Sequence, residues 1–295
     1  MKKYLLLTFI LTSYVTISFA QTDTTKKEPS PWKLTGVSSL NFVQSSFTNW
    51  SAGGNNSVAG TVAGKLNILY KKDKITWETN LELAYGLTFL EGEKRKNNDK
   101  IDFSSKFGYQ AFKYWNYTGL LSFKSQFDKG YASYPVTDKN AYNSKFFAPA
   151  YLILSLGMDY QPIPDFSLLI SPITAKFTFV YDDYLSGLKA FGVDENENLY
   201  AAWGAYVKSA YTKKLHENIV LGTVVELFSN LLDSPENVAI NWELKFDFNI
   251  TKFIKSNLYT QLMYDDRTKI YEGGKTFGAK VQFKQVLGVG FAYIF

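Results

Sequence analysis

The chain has 295 residues, with 32 basic and 27 acidic side chains and a formal net charge of +5. It contains no cysteine, which excludes disulfides and a lipid-anchored cysteine, and the small net charge argues against nucleic acid as a partner. Aromatic residues make up 17% of the chain, yet no stretch after residue 20 has the roughly 18 apolar residues that a membrane-spanning helix needs.

The N-terminus has the three parts of a secretory signal peptide. Met1 is followed by the basic residues Lys2 and Lys3, residues 5–17 form an apolar stretch, and Ser18 and Ala20 are small. We expect residues 1–20 to be removed by cleavage after Ala20, which leaves 30 basic and 27 acidic residues and a net charge of +3. Residues 21–31 are polar, carry two prolines and show no periodicity, so we interpret them as a flexible periplasmic leader.

From residue 32 onward an alternation of apolar and polar residues recurs about twelve times, and a period of two predicts β-strands. In Asn241–Ile250 one face is apolar and the other carries five polar or charged residues. Such a face does not suit a dry core, but it suits a wet or salt-bridged lumen with the apolar face toward lipid. The predicted strands are 33–46, 58–70, 75–89, 101–112, 116–127, 149–160, 166–181, 200–211, 218–228, 241–250, 257–264 and 276–295.

The connections between these strands alternate between short and long, with five tight turns and six longer loops. Bacterial barrels have short periplasmic turns and longer outer loops, so both termini are expected in the periplasm. The sequence therefore predicts an all-β protein: a closed antiparallel up-and-down transmembrane β-barrel of about twelve strands over residues 32–295, in the bacterial outer membrane. A soluble lipocalin-like barrel is the main structural alternative, but its outer face would be polar.

Two strands have features of their own. The strand 166–181 changes phase at Ser171-Pro172, where a β-bulge would absorb one residue. The final nineteen residues, Phe277–Phe295, alternate over most of their length and are predicted to be one long closing strand. Its aromatic end is predicted to be a barrel-assembly signal, recognised by the barrel-assembly machinery, and it consists of Phe291, Tyr293 and Phe295.

The segment FTNWSAGGNNS at Phe47–Ser57 follows the first predicted strand, which itself starts near Trp32-Lys33-Leu34. With these features and its aromatic C-terminus, the sequence resembles a family of uncharacterised outer-membrane barrels of Bacteroidetes-type bacteria, domain of unknown function 3078. The likeness extends over about residues 32–295, and Asn-Trp-x-x-Gly-Gly-x-Asn-Ser is its most specific part. The resemblance implies a barrel and a compartment, and it brings no substrate and no catalytic residues.

That most specific segment lies at the first predicted outer loop. Its candidate residues are Asn49, Trp50, Gly53, Gly54, Asn56 and Ser57. One hypothesis is a loop folded into or over the pore mouth, with Trp50 as a plug or a sugar-stacking platform. The other, which we favour, is a Gly-Gly turn whose asparagines tie the loop to the rim, with Trp50 in the interfacial aromatic girdle.

The predicted lumen carries charges of both signs. The acidic candidates are Glu78, Glu82, Asp102, Asp159, Glu226, Glu243 and Asp247, and the basic candidates are Lys65, Lys106, Lys124, Lys176, Lys208, Lys245, Lys280 and Lys284. One interpretation is a charged pathway that selects a small anionic or zwitterionic solute. The other is a salt-bridged filling that stabilises a narrow barrel without an open channel, and near-equal counts favour pairing.

Sites for catalysis or metal binding are not predicted. The single histidine, His216, falls in a predicted periplasmic turn at Lys213–Glu217, away from the outer half of the barrel where such chemistry would need it. With Asp194, Glu195 and Glu197, the acids of Tyr181-Asp182-Asp183 and Tyr264-Asp265-Asp266 could bind a divalent cation or bridge one to surface glycolipid. They lack the spacing of a calcium loop, so we favour the interpretation that they are solvated loop acids. We expect no cofactor.

Two functions remain open from the sequence. The leading hypothesis is a porin-like, non-enzymatic barrel that passes a small solute, with outer-membrane lipid and surface glycolipid around it. The alternative is a closed barrel that serves as a structural or surface-loop interaction scaffold, for which the long loops Asp128–Ala148 and Asp182–Leu199 provide the surface.

Overall fold

The computed structural model describes residues 30–45, 57–90, 92–131, 136, 142–272 and 275–295. Within this part of the chain, strands that alternate in sequence form one closed barrel and a separate small hairpin. The barrel strands are β1 (Trp32–Ser45), β2 (Ser57–Lys72), β3 (Ile75–Leu90), β4 (Glu93–Phe112), β5 (Trp115–Ser125), β6 (Ala150–Tyr160), β7 (Phe166–Phe179), β8 (Leu199–His216), β9 (Ile219–Asn230), β10 (Val238–Asn249), β11 (Ile254–Tyr264) and β14 (Gln282–Ile294). The remaining elements are the hairpin β12 (Lys269–Glu272) and β13 (Lys275–Ala279), the helix α1 (Asp183–Gly187) and a 3₁₀ turn at Ala190–Gly192.

Neighbouring strands in the chain are neighbours in the barrel, and all ladders between the described strands are antiparallel. The barrel closes where β1 pairs with β14, and the β12–β13 hairpin forms its own two-stranded sheet between β11 and β14. This topology confirms the predicted closed up-and-down barrel and its twelve strands. No helix among the described residues is long and apolar enough to cross a bilayer.

The outer face of the barrel is apolar. Trp77 is 45% exposed and Phe283 is 64% exposed, while Phe246 lies on the same side of β10 as the exposed Trp242. Rings meet at both ends of the wall: Trp32 and Tyr70 lie 4.8 Å apart at the end with the short turns. Phe147 lies 5.6 Å from Phe123 and 5.7 Å from Tyr181 at the end with the long loops. These two ends are called the turn end and the loop end below. An apolar outer face excludes the lipocalin-like alternative.

The β-bulge predicted at Ser171-Pro172 is confirmed. The register of β7 shifts between Ser171 and Thr174 against β8, and between Leu156 and Met158 on the β6 side. The Ser171 hydroxyl donates to the carbonyl oxygen of Leu156 at 2.7 Å, which satisfies a polar group that the interrupted ladder leaves over.

Three predicted boundaries are wrong. The stretch predicted as a loop before 101 is strand from Glu93, since β4 pairs with β3 up to Leu90. That stretch is polar on both faces, so it lacks the alternation of apolar and polar residues that identifies the other strands. His216 ends β8 and pairs with Ile219 instead of lying in a turn. The closing strand is not continuous: it divides at Lys280 and Val281 into β13 and β14.

Candidate functional site: a charged lumen and an ordered loop cap

Alternation along the strands places most of the predicted lumen charges on the inner face of the wall. Exposed Trp77 points outward, so its neighbours Glu78 and, further along β3, Glu82 point inward. Contacts between strands that are not neighbours support this placement, because such contacts can form only across the lumen. Lys280 is the exception: it lies between β13 and β14, outside the barrel strands.

Glu226 is the centre of the largest polar cluster among the described residues. Its side chain is 8% exposed and accepts from Lys124 at 2.7 Å and from Lys208 at 3.0 Å. The Tyr206 hydroxyl donates to it at 2.9 Å, and the Asn241 amide donates at 2.8 Å. Lys124 belongs to β5 and Glu226 to β9, so this pair bridges across the lumen. A buried carboxylate with this many donors is held in one position.

A second cluster lies between β4, β6 and β7. Asp159, with a side chain that is 1% exposed, pairs with Lys106 at 2.9 Å and accepts from Ser167 at 2.7 Å and from Gln161 at 2.6 Å. Lys106 also donates to Ser167 at 3.0 Å. The cluster closes into a ring of polar contacts that fixes three strands to one another.

The other predicted lumen charges form smaller groups. Glu82 and Asp102 flank Lys100 at 3.2 and 3.4 Å, and Lys100 lies 6.0 Å from the ring of Tyr259 on β11. The remaining contacts are Glu78 with Asn67 at 3.1 Å, Lys176 with Asp265 at 2.7 Å, Lys124 with Glu243 at 3.9 Å, Lys245 with Asp247 at 3.0 Å and Lys284 with Asn98 at 3.5 Å.

The lumen is packed on one side and open to water on the other. Inward residues of β5–β9 are buried around Tyr206, among them Leu120, Leu169 and Phe228, and we call this buried part of the five strands the packed wall. Across from it, Lys65 of β2 and Lys284 of β14 face inward and are exposed. We call this water-exposed space along β14, β1 and β2 the bore.

The loops of the packed wall are tied into a cap at the loop end. Asp182 begins α1 by accepting from the amide of Leu185 at 2.8 Å, and it also accepts from the Tyr142 hydroxyl at 2.7 Å and pairs with Lys145. Leu185 is buried with Val180 in a small apolar core beneath the helix. Asp182 is therefore not the solvated loop acid that the sequence predicts.

Arg267 fastens the other side of this cap. Its guanidinium donates twice to the carbonyl oxygen of Gly192, at 3.2 and 3.1 Å, and lies 3.9 Å from the centre of the Tyr200 ring. It also contacts Asp233 at 3.4 Å. The connections after β7, β9 and β11 are held together by this one side chain.

The cap is expected to loosen at acid pH. Burial opposes ionisation of Asp182, but hydrogen bonds from Lys145, Tyr142 and the Leu185 amide outweigh it and lower the pKa of this carboxyl. The same hydrogen bond raises the pKa of Tyr142 to about 12. Because the folded pKa of Asp182 is depressed, its contribution is complete above the free value of about 4 and is lost as pH falls through the lowered pKa.

Hydrogen exchange of the α1 amides, corrected for the intrinsic effect of pH, measures this loosening. In the native chain protection should fall as pH drops below about 4. Asp182→Asn should show low protection at every pH, and the control Asp183→Asn should behave as the native chain does. An unchanged pH profile in Asp182→Asn would contradict the assignment.

Two other sets of residues were predicted to have a role: the motif of the first outer loop and the C-terminal aromatic residues. Asn49, Trp50, Gly53, Gly54 and Asn56 fall outside the described residues, as do residues 1–29 with the predicted signal peptide and most of the leader; Ser57 begins β2. Phe291, Tyr293 and Phe295 are all exposed on the outer face. Gly36 and Phe295 exchange backbone hydrogen bonds of 2.9 and 3.0 Å, and the ring of Phe295 occupies the space where a Cβ of Gly36 would stand.

Sequence reasoning missed several residues of these clusters. They are Lys100, Tyr142, Lys145, Tyr206, Tyr259 and Arg267. Tyr206 and Tyr259 lie at polar-face parity in their strands, and that parity was the available signal. Nothing local marks Lys145 or Arg267, because their partners come from other loops.

Comparison with known proteins finds one matching family model and several solved barrel structures that are similar to this chain. A family model described as protein of unknown function (DUF3078) matches residues 42–131, which is less than half of the chain and less than the predicted likeness. No curated protein matches. The bacterial group stays a prediction.

Among solved structures, the chain is similar to the translocator domain of the autotransporter NalP from Neisseria meningitidis, with 11% identity, 91% of this chain and 90% of that chain covered, and a TM-score of 0.39. It is similar to an outer membrane channel from Pseudomonas putida, with 10% identity, coverages of 94% and 100%, and a TM-score of 0.39. It is also similar to the NanC porin, with 10% identity, coverages of 87% and 98%, and a TM-score of 0.39.

Proposed function

We propose that this protein is an outer-membrane barrel that passes small anionic or zwitterionic solutes through the bore. Its apolar outer wall with aromatic rings at both ends supports residence in a membrane. The main observation that supports passage of solutes through the barrel is the contrast between the buried packed wall and the exposed, inward-facing Lys65 and Lys284. Charges on a pore wall decide which ions enter, and these two favour anions.

At the turn end, inward residues of β9 and β10 are exposed to water as well. Lys245 and Asp247 are 45% and 40% exposed there, and a Cβ built on Gly222 meets no atom within 4 Å. Narrowing arises where the Lys100 and Lys124 groups reach across from β4 and β5. A passage lined by both signs in this way suits a solute that carries its own charge.

The test is ion selectivity in a planar bilayer. The double variant Lys65→Gln with Lys284→Gln should move the reversal potential under a salt gradient toward cations, since it removes two positive charges from the bore. Lys189→Gln, which removes a lysine that lies outside the lumen and pairs with Glu195 at 3.1 Å, should leave selectivity unchanged. Equal shifts in both variants would show that selectivity is not set in the bore.

A closed scaffold is the second candidate, and one observation favours it. Ion pairs such as Lys124 with Glu226 cross the lumen, and the cap holds several loops in a fixed arrangement. A correctly folded protein that stays silent in the bilayer at every voltage would select this candidate over the passage. Neither candidate includes a chemical step, and His216 lies at the turn end of β8, away from the cap.

A further inference from the structure

Two contacts reach across the lumen from β4. The Lys100 ammonium lies 6.0 Å from the centre of the Tyr259 ring on β11. Lys284 of β14 donates to the Asn98 amide oxygen over a long distance of 3.5 Å. Strands β1, β2 and β3 separate β4 from β14 around the barrel, so both contacts span the interior instead of following the wall. The bore lies between these contacts and that part of the wall.

Two ammonium groups meet at the Tyr259 ring. Lys284 also lies 6.0 Å from the ring centre, so the nitrogens of Lys100 and Lys284 are separated by at most twice this distance. With N–H···O distances of about 2.8 Å on each side, a carboxylate that bridges two ammonium groups holds their nitrogens roughly 5–8 Å apart. The two lysines can therefore share one carboxylate between opposite walls.

Both lysines keep donors for such an acceptor. Lys100 pairs with Glu82 at 3.2 Å and with Asp102 at 3.4 Å, and both acids lie on its own side of the lumen. Lys284 is exposed, and no carboxylate of the described chain forms an ion pair with it. Because an ammonium group has three N–H donors, each lysine has at least one left for a solute.

The charges around this ring leave a positive excess. Lys65 of β2 lies directly opposite Glu82 in the β2–β3 ladder and is exposed to the bore. The ammonium groups of Lys65, Lys100 and Lys284 thus outnumber the carboxylates of Glu82 and Asp102 by one. The neighbouring cluster is balanced within itself, with the members Lys124, Lys208, Glu226 and Glu243. A single excess positive charge suits a monoanion better than a multivalent anion.

We propose that Lys100, Lys284 and Tyr259 form a binding site in the bore for the carboxylate of a small monocarboxylate solute, and we call it the carboxylate site. The carboxylate bridges the two ammonium groups beside the Tyr259 ring and offsets their mutual repulsion. Lys284 is the residue that determines affinity, because Lys100 is already held by two acids. This proposal rests on the proposed passage and narrows its solute class.

Saturation-transfer NMR on the folded protein in dodecylmaltoside tests the carboxylate site without any ion current. Propionate is the probe, because it is a small monocarboxylate whose C–H protons can be observed. Transfer to propionate should saturate with concentration in the native protein. Lys284→Gln should weaken binding about tenfold, the scale of one lost hydrogen bond to a charged group.

Lys255→Gln is the matched control. Lys255 faces the lumen from the same strand as Tyr259, because it pairs with Asn249 just as Tyr259 pairs with Lys245. It lies four residues away, roughly 13 Å along β11, which is beyond the screening length at physiological salt. Propionate binding should therefore change by less than about twofold in this variant.

An introduced cysteine separates charge from shape, since the chain has no cysteine of its own. Lys284→Cys should weaken propionate binding as Lys284→Gln does. Aminoethyl methanethiosulfonate adds an ammonium group to this cysteine at nearly the length of lysine, and it should restore binding. Methyl methanethiosulfonate adds a neutral group and should not. Restoration by both reagents would show that the charge at residue 284 does not hold the carboxylate, and it would overturn the site.

Other results would also overturn the carboxylate site. These are transfer that never saturates, equal losses in Lys284→Gln and Lys255→Gln, and displacement of propionate by the phosphate dianion at lower concentrations than by acetate at pH 8. A planar bilayer keeps the two proposals apart. Propionate binding by a protein that carries no current would overturn the passage and leave the site, whereas a current without saturable propionate binding would overturn the site alone.

Discussion

Glu226→Gln is expected to lower the free energy of unfolding by about 3 kcal/mol, the scale for breaking a buried ion pair from one side. The amide keeps the shape of the side chain but removes the charge that Lys124 and Lys208 share at 2.7 and 3.0 Å. Two ammonium groups would then face each other across the lumen without their carboxylate. Urea unfolding of the folded barrel in detergent, followed by tryptophan fluorescence, measures the change.

Asp247→Asn is the matched control, because it makes the same chemical change at an exposed pair. Asp247 contacts Lys245 at 3.0 Å with both side chains well exposed. Exposed pairs contribute about 0–1 kcal/mol, so the unfolding midpoint should hardly move. Equal losses in Glu226→Gln and Asp247→Asn would show that the Glu226 cluster does not stabilise the barrel beyond a surface pair.

Gly157→Ala should prevent normal folding or destabilise the barrel by about 3 kcal/mol, the upper range for overpacking. A Cβ at this position would overlap the carbonyl oxygen of Ile170 and approach the Cα of Ser171, both well inside 3.0 Å. These are backbone atoms at the bulge of β7, so they cannot rotate away as a side chain would. The shift to the unfolded band in unheated gel samples measures the loss of folded barrel.

Gly222→Ala is the control for this prediction. Gly222 also faces the lumen from a strand interior, but a Cβ there meets open space. The alanine should be neutral or slightly stabilising, by about 0.5 kcal/mol, because glycine loses more backbone entropy on folding. If both alanines fold equally well, the close approach of β6 to the bulge is not a constraint on this barrel.

Much of the barrel could be predicted from the sequence because a wall with an apolar outer face and a polar inner face produces a period of two along each strand. Asn241–Ile250 shows its faces by alternation alone, and the break in phase at Ser171-Pro172 marks the bulge. The same rule fails where a strand extends beyond the part of the wall with an apolar outer face. Glu93–Asn98 is strand with polar residues on both faces, so no alternation reveals it. In the reverse direction, alternation continues across Lys280 and Val281 although the chain leaves one sheet for another.

The sequence predicts which side chains of the candidate site face the lumen, but not which side chains they pair with. The alternation along each strand places Lys124, Glu226 and Lys284 on the inner face. It gives no reason why Glu226 pairs with two lysines while Lys284 stays exposed. The acid at 182 looks like any loop acid in the sequence. Only the fold shows that Lys145 and Tyr142 contact it at the start of a helix.

The sequence by itself determined the class of fold, the strand number and which side chains look outward, because these depend on residues two apart along one strand. The tertiary structure alone decided which charges pair across the lumen and which wall is packed. Lys124 and Glu226 are 102 residues apart, and β1 meets β14 only when the barrel closes. Those contacts depend on the shear and the closure of the whole sheet, and no local pattern encodes them.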